Sequence, residues 1–391
     1  MTVGLVLSSL PGYSETFFRN KIHVLKQHGF QVILFTSYTI QKSDLDFKKG
    51  PPEFKSNPLF YFMRVIIELL HLLLVVPGRV IRLVTLEWAD GKGISQIMKN
   101  LYSNSHILRS NLDWLHFGFA TQALEKENLA TVLGARMAVS FRGYDINVYP
   151  MKYPDAYKAV WGKLDKVHSI SDSLYHKALK IGLPSDVSYE KITPAIDVRF
   201  FTPAKRSFNG GDKLVITTIA RLTWIKGLDY AIQAMRILAD SGCDFSYQII
   251  GDGILYDRLC FAIHQLELDN YVQLIGRKSS HEIRDILNKT DIYLQPSLEE
   301  GFCNAVLEAQ ACHCMCIVTG VGGLVENVQN GITGWHVAVG DSESIARKII
   351  DVINMSEEEI ERILCNAGER IKTEFSIELQ QQKFIRFYEQ D

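Results

Sequence analysis

Cysteine is scarce and irregularly spaced, with 7 in 391 residues. That is too few for a disulfide scaffold in a chain of this length, and it fits a reducing compartment. Charge of one sign is not in excess either. Lys and Arg total 42 against 44 Asp and Glu, a net charge of -2, so there is no strong basic field and nucleic acid is not an expected partner. There is no fixed-period repeat and no low-complexity segment. With 47% hydrophobic and 22% charged residues, disorder and fibrous architectures are excluded. The opening run Val3–Leu7 stops at Ser8 and Ser9 without a basic leader. It reads as a first strand and not as a signal peptide, and a cytoplasmic location is expected.

No apolar run reaches the roughly 20 residues that a spanning helix needs. The densest, within residues 57–86, is interrupted by Arg64, Glu68 and His71 on one side and by Pro77, Gly78, Arg79 and Arg82 on the other. Two readings stay open. One is a core helix followed by an amphipathic helix. The other is an apolar, Arg-flanked face in peripheral contact with the inner face of an anionic membrane.

At about 150 residues per domain the length implies two domains. The pattern agrees. Val3–Leu7, Gln31–Thr36, Leu112–His116, Arg136–Phe141, Lys166–Ile170 and Tyr189–Thr193 read as strands separated by helical stretches. A polar linker at 204–212 precedes a second series: Leu214–Ala220, Phe245–Ile250, Tyr271–Ile275, Asp291–Gln295 and Cys316–Thr319. Strand alternating with helix implies parallel sheets covered on both faces. The fold class expected is α/β with two Rossmann-like doubly wound domains, 1–200 and 201–375, and a charged helical tail. Such sheets bind ligands beyond the carboxyl ends of their strands, and two in series suggest a cleft between them.

The chemistry-bearing residues sit on strand-to-helix loops. Arg221 and Lys226 lie between a strand and the helix that starts near Gly227. Two cations beside a helix N-terminus suit a diphosphate, although basic loops also serve solubility. Glu300, Gly301, Phe302, Cys303, Asn304 and Glu308 follow the next such strand. Asn304 and Glu308 share a helix face, being four apart. Glu300 and Glu308 would flank one spot, a spacing that can hold vicinal hydroxyls; the plainer reading makes Glu300 a helix-dipole partner and Glu308 a surface residue. Glycine loops at Gly12, Gly251–Gly253 and Gly320–Gly323 match neither GxGxxG nor a P-loop in context, which disfavours nicotinamide dehydrogenases and ATPases.

Together these residues resemble glycosyltransferase family 4. The resemblance runs over 213–345 through Arg221, Lys226-Gly227, Gly251-Asp252-Gly253, Glu300-Gly301-Phe302-x-Asn304-Ala305-x-x-Glu308, Gly322-Gly323-x-x-Glu326 and Asn330-Gly331-x-Thr333-Gly334. In the first half, Pro11-x-x-Ser14-Glu15-Thr16 and His116-Phe117-Gly118 are similar to bacterial exopolysaccharide and colanic-acid-type members. The resemblance implies the GT-B fold, with a C-terminal helix at 376–391 crossing back to the first domain. It also implies retaining transfer from a nucleoside-diphosphate sugar to a saccharide or lipid-linked acceptor, in cell-surface polysaccharide or glycolipid assembly, with no metal and no cofactor. Arg221 and Lys226 would hold the diphosphate and Glu308 the ribose. Glu300 would face the sugar, helped by the amides of Gly301, Phe302 and Cys303. Gly12 would let a first-domain loop approach the phosphates.

There is one departure. The family shows His-Gly-x-Asp after a first-domain strand, where this chain has Arg142-Gly143-Tyr144-Asp145. Arg142 is therefore a candidate for contact with the donor, or an ion-pair partner of Asp145, and His116 is a candidate lining residue or a satisfied structural histidine. Cys312, Cys314 and Cys316 lack a second ligand pair at zinc-like distance, and Asp44-Leu45-Asp46 reads as coincidence. Rival readings are a nucleotide-sugar epimerase or phosphorylase on the same fold, and a non-catalytic sugar-nucleotide-binding subunit.

Overall fold

The computed structural model describes residues 1–9, 16–36, 47–52, 58–204 and 213–389. Pro11, Gly12, Ser14, Glu15, the Asp44–Asp46 triplet and the core of the linker lie outside the described residues. The chain divides into two compact units, Met1–Ile192 with Gln381–Asp391, and Thr193–Gln380. The changeovers differ from the expected 200/201 and 375/376 because residues 193–200 are tied to the start of the last helix. Ile196 donates its amide to the Phe375 carbonyl at 3.0 Å, and Gln380 Nε2 donates to the Thr193 carbonyl at 2.6 Å.

In the first unit the described strands form a 7-stranded parallel sheet, ordered β3-β2-β1-β4-β5-β6-β7. These are β1 (Thr2–Leu7), β2 (Gln31–Thr36), β3 (Phe47–Lys49), β4 (Trp114–Phe117), β5 (Arg136–Phe141), β6 (Lys166–Ser169) and β7 (Ser188–Lys191). The central strands are buried on both faces, as continuous apolar runs require. Edge strand β3, with the sequence Phe-Lys-Lys, carries no such signal and was not expected from sequence. Helix α1 (Thr16–Gln27) packs on the sheet through Phe18, Ile22 and Leu25. Phe384, Phe387 and Tyr388 of the C-terminal helix (Ile377–Glu389) complete the same core.

Between β3 and β4 lie α2 (Pro58–Val75), α3 (Pro77–Ala89) and α4 (Ile94–Ser103). Pro77 sits at the first turn of α3. It has no N–H to continue α2, so the chain turns there by 113°. Among the described residues no single helix is long and apolar enough to cross a membrane.

The second unit repeats the logic with a 6-stranded parallel sheet, ordered β10-β9-β8-β11-β12-β13. Its strands are β8 (Leu214–Ile219), β9 (Phe245–Ile250), β10 (Val272–Gly276), β11 (Ile292–Gln295), β12 (Met315–Thr319) and β13 (Trp335–Val337). The three-residue edge strand β13 was again not legible. In both sheets the order reverses once, between β1 and β4 in the first and between β8 and β11 in the second. A crevice forms at such a reversal, because the loops on either side leave toward opposite faces.

Candidate functional site

The second unit's reversal point is where the motif residues gather. After β8 the chain makes a tight turn, Trp224–Lys226, and enters the helix Leu228–Asp240 through Gly227. Gly227 has φ +63°, and a Cβ there would run into the Pro296 carbonyl oxygen. Glycine thus lets the loop after β8 lie against the loop after β11, where Leu298 N donates to the Ile225 carbonyl at 2.8 Å. That closeness brings Lys226 Nζ onto Glu300 Oε2 in an ion pair whose side chains are both largely buried. Burial alone would lower the Lys226 pKa. The Glu300 carboxylate outweighs this and raises it, so the ammonium stays charged. Arg221 is close enough to oppose that rise. It is exposed, and no carboxylate among the described residues pairs with it.

Glu300 is held from behind. Ser297 Oγ lies 3.4 Å from its Oε2, and Gln295 Nε2 donates to that Ser297 at 2.9 Å. Tyr293 in turn donates to Gln295 Oε1 at 2.8 Å. Gln295 and Ser297 are fully buried. From β12, Gly323 N donates to the Glu300 carbonyl at 2.8 Å. Gly251, with φ +144°, lets the loop after β9 press on the Ala220 carbonyl just ahead of Arg221. Four adjacent strands therefore contribute one loop each to a single edge.

The helix Asn304–Ala311 starts at this edge with Cys303 as its N-cap. Buried Asn327 clasps that residue, accepting from Cys303 N at 2.9 Å and donating to Cys303 O at 3.1 Å. The Cys303 amide is thereby consumed, and the expectation that it would help hold a sugar is corrected; Gly301 and Phe302 stay at the edge. The Cys303 thiol is pushed up to about 12, first by burial and then by the Glu300 charge. One turn into the helix Glu308 is largely buried, and no side chain among the described residues pairs with it. Burial pushes its pKa up to about 7. It is not the surface residue of the plainer reading, whereas Asn304 is exposed. Asn327, Gln295 and Ser297 were missed in the sequence. Asn327 follows directly on the Gly322-Gly323-x-x-Glu326 motif, which was the one available signal.

In the first unit His116 is a core residue, correcting its candidacy as a lining residue. It is 0% exposed, and its hydrogen bonds have only one consistent direction. The Ile192 carbonyl can only accept, so His168 Nε2–H donates to it at 3.0 Å. His168 Nδ1 then accepts from Ser140 Oγ, and Ser140 accepts from His116 Nε2–H, both at 2.8 Å. His116 Nδ1 accepts from the Tyr388 hydroxyl at 2.7 Å. Both histidines are neutral, their pKa values held well below the ordinary value by burial and by Lys21. Lys21 is itself buried and its pKa is strongly lowered.

Arg142 does not pair with Asp145. The Asp145 carboxylate is capped by the amides of Arg142 at 3.0 Å, Gly143 at 2.9 Å and Ala120 at 3.2 Å. The Arg142 guanidinium carbon lies 3.8 and 4.3 Å from the ring centroids of Phe17 and Phe18, and its Nε donates to the Gly118 carbonyl at 3.2 Å. It thus sits where β4 and β5 end.

A recess of about 580 Å³ opens at the same sheet's carboxyl edge, beyond β1, β2 and β3. Four of its lining residues, Thr36, Asn104, His106 and Gln122, hold side-chain atoms that are buried beneath its surface and without a hydrogen-bond partner. His106 is held neutral, its pKa lowered to about 4 by burial and nearby cations. Among the described residues, no three His, Cys, Asp or Glu side chains are grouped to share a metal ion.

The chain was compared with known proteins. The family model described as glycosyl transferases group 1 matches residues 201–369. The colanic acid biosynthesis glycosyltransferase WcaL of Salmonella typhimurium, itself named putative, is 30% identical over 273 residues, 67% of this chain and 66% of the relative. The amylovoran biosynthesis glycosyltransferase AmsK of Erwinia amylovora is 29% identical over 286 residues, 70% of this chain and 69% of the relative. The matched stretch thus spans about two thirds of these relatives' length. Among solved structures, Anabaena Alr3699/HepE in complex with UDP and glucose aligns with a TM-score of 0.70 over 99% of this chain and 98% of that one. At 14% identity this likeness carries the fold alone, and that fold is GT-B.

Proposed function

We propose, from the premise that this chain belongs to the glycosyl transferases group 1, that it moves a sugar from a nucleoside-diphosphate donor to a saccharide or lipid-linked acceptor during exopolysaccharide assembly in the cytoplasm. The observation that carries this reading is the meeting of Lys226 and Glu300 at the reversal point between β8 and β11, with Arg221 beside them and Glu308 a turn away. A diphosphate needs fixed cations, and Lys226 and Arg221 supply them. A ribose offers two vicinal hydroxyls, and an unpaired carboxylate such as Glu308 accepts from both. The HepE structure, with UDP and glucose bound, makes a uridine donor the first to test.

The reaction proposed is retaining and metal-independent. The bond from the sugar's anomeric carbon to the diphosphate oxygen breaks as the acceptor oxygen bonds to that carbon on the same face. The acceptor proton passes to the departing phosphate oxygen, so no side-chain base is required. As negative charge gathers on the diphosphate, Lys226 and Arg221 stabilise it without having to reorganise. The recess beyond β1–β3 is the proposed acceptor site, and Arg142 is proposed to contact the donor.

The test is a panel of nucleoside-diphosphate sugars screened by thermal shift, then single-turnover transfer with the stabilising donor. The anomeric configuration of the product is read by NMR, with and without EDTA. A stabilising donor, a retained configuration and insensitivity to EDTA are expected. No stabilisation by any donor would overturn the site, inversion would overturn the mechanism, and loss in EDTA would overturn metal independence.

A further inference from the structure

Helix α2 is apolar on both its faces. Leu72 and the partly buried Val65 and Leu69 point inward. On the outer side Phe62, Ile67 and Leu74 are 62, 63 and 83% exposed, and Met63, Ile66, Leu70 and Leu73 are exposed beside them. Their spacing of three and four puts them in one stripe. In α3, Ile81 and Trp88 continue it two turns apart, at 64 and 65%. A helix of a soluble unit places polar residues at such positions, so this surface is built to be covered.

Charge identifies what covers it. The two helices hold only two carboxylates, and both are engaged. Glu68 pairs with Arg109 at 2.7 Å, and Glu87 is buried against Asn100 and Lys92. Of the cations, Arg79 is turned inward to the carbonyls of Leu108 and Ser110. Arg64 and Arg82 are exposed, and no carboxylate among the described residues pairs with either. At the foot of α2 a recess of about 210 Å³ is lined by Lys49, Arg64 and Arg109 against Glu68. A second copy docked by two-fold symmetry would bring these cations together with no free carboxylate to meet them. A sheet of phosphate headgroups over acyl chains matches both the charge and the apolar stripe. Trp88 has the amphipathic ring that settles at such a boundary.

We infer that the outer faces of α2 and α3 dock on an anionic lipid bilayer. The 113° bend rules out one continuous span and suits two helices lying in the interface. The cations engage headgroup phosphates while the stripe enters the acyl boundary. The surface is independent of the donor site, so it stands or falls separately from the catalytic reading.

The experiment is flotation of the full chain with phosphatidylcholine vesicles, with and without phosphatidylglycerol. Binding is expected to the anionic vesicles and to weaken with salt. The double variant Ile67→Asp/Leu74→Asp is expected to lose at least tenfold in partitioning. Arg64→Gln and Arg82→Gln are expected to cost about fivefold each, on anionic vesicles only. Ile254→Asp, at an apolar position 87% exposed in the second unit, should change nothing. Because all these residues are exposed, melting temperatures should hold. As a readout without a charge change, fluorescence lost in Trp88→Phe should be the part quenched by brominated lipid. Equal flotation of wild type and the aspartate variant, or a Trp88 signal that lipid does not quench, would overturn the inference. So would a concentration-dependent dimer that Leu74→Asp abolishes and vesicles do not compete with.

Discussion

Glu308 offers a test in which stability and function are expected to move in opposite directions. Its folded pKa is about 7 against 4.5 for a free glutamic acid, and burial is the cause. The folded state therefore holds a proton that the unfolded state has already lost between those two pH values. Stability from this group is fully retained below about 4.5, falls as pH rises, and reaches its lowest level above about 7. At 1.36 kcal/mol per unit, the charged form costs at most about 3 kcal/mol. Glu308→Gln keeps the shape and cannot ionise. At pH 8 it should be more stable than wild type by up to about 3 kcal/mol, roughly 5–10 °C in Tm for a unit of this size. At pH 5 the two should converge.

Donor binding should respond the other way. Ribose hydroxyls donating to Glu308 favour its ionised form, so a nucleoside-diphosphate sugar should bind more tightly as pH rises from 6 to 8. Glu308→Gln should remove that dependence and weaken binding roughly 10- to 100-fold, the worth of hydrogen bonds to a charged acceptor. Calorimetric melts and titrations across pH 5–8 measure both quantities. A variant that melts no higher than wild type at pH 8, or that binds donor with unchanged pH dependence, would refute the reasoning.

Removing the ammonium in Lys226→Met should strand the Glu300 charge, costing about 3 kcal/mol of stability and at least 100-fold in kcat/KM. Lys226→Met/Glu300→Gln should recover the stability, read by urea melts, and none of the activity. Asn327→Ala removes both bonds to the Cys303 backbone and leaves its buried amide unmatched, so a loss of about 1–3 kcal/mol is expected by the same melts. His116→Gln should destabilise the first unit by breaking the chain from Tyr388 to Ile192. Rapid-quench rates per folded molecule should remain close to wild type, because His116 acts in the core; a thousandfold fall in the chemical step would restore it as a catalytic residue.

Central strands such as β1 and β12 were legible because each is a short, nearly continuous apolar run closed by a turn, a pattern that reads as a buried parallel strand in an alternating α/β chain. β3 and β13 were not. At three residues each, on sheet edges, they are specified by the neighbour they pair with and not by their own composition. The Lys226–Glu300 meeting could be inferred only as a shared site, since 74 residues separate the two and nothing local reports that β8 and β11 are adjacent. Even so, the glycine at 227 was the trace of that adjacency, because the Pro296 carbonyl leaves no room for a side chain. Asn327 left no comparable trace. An asparagine clasping a remote backbone looks, in a sequence, like any turn asparagine.

His116 and Arg142 together bear on where this fold places chemistry. His116 was weighed as a lining residue because it ends a strand, and Arg142 as a donor contact because it stands where the family shows histidine. Strand ends, however, differ in which way they face. His116 lies within β4, and its side chain points into a core sealed by Phe384, Phe387 and Tyr388, so its polarity is spent on structure. Arg142 stands just past β5, with its guanidinium carbon close to the rings of Phe17 and Phe18. A guanidinium held against two aromatic rings loses little entropy when an anion binds it, and it keeps its proton where a histidine would titrate. Substituting arginine for histidine at this position thus exchanges a titratable group for a permanent, pre-aimed charge. If Arg142 contacts the donor, the dependence of turnover on pH near 6–7 should come from Glu308 alone. Arg142→His should add a second inflection to the pH profile, and a profile unchanged by that substitution would place Arg142 outside the site.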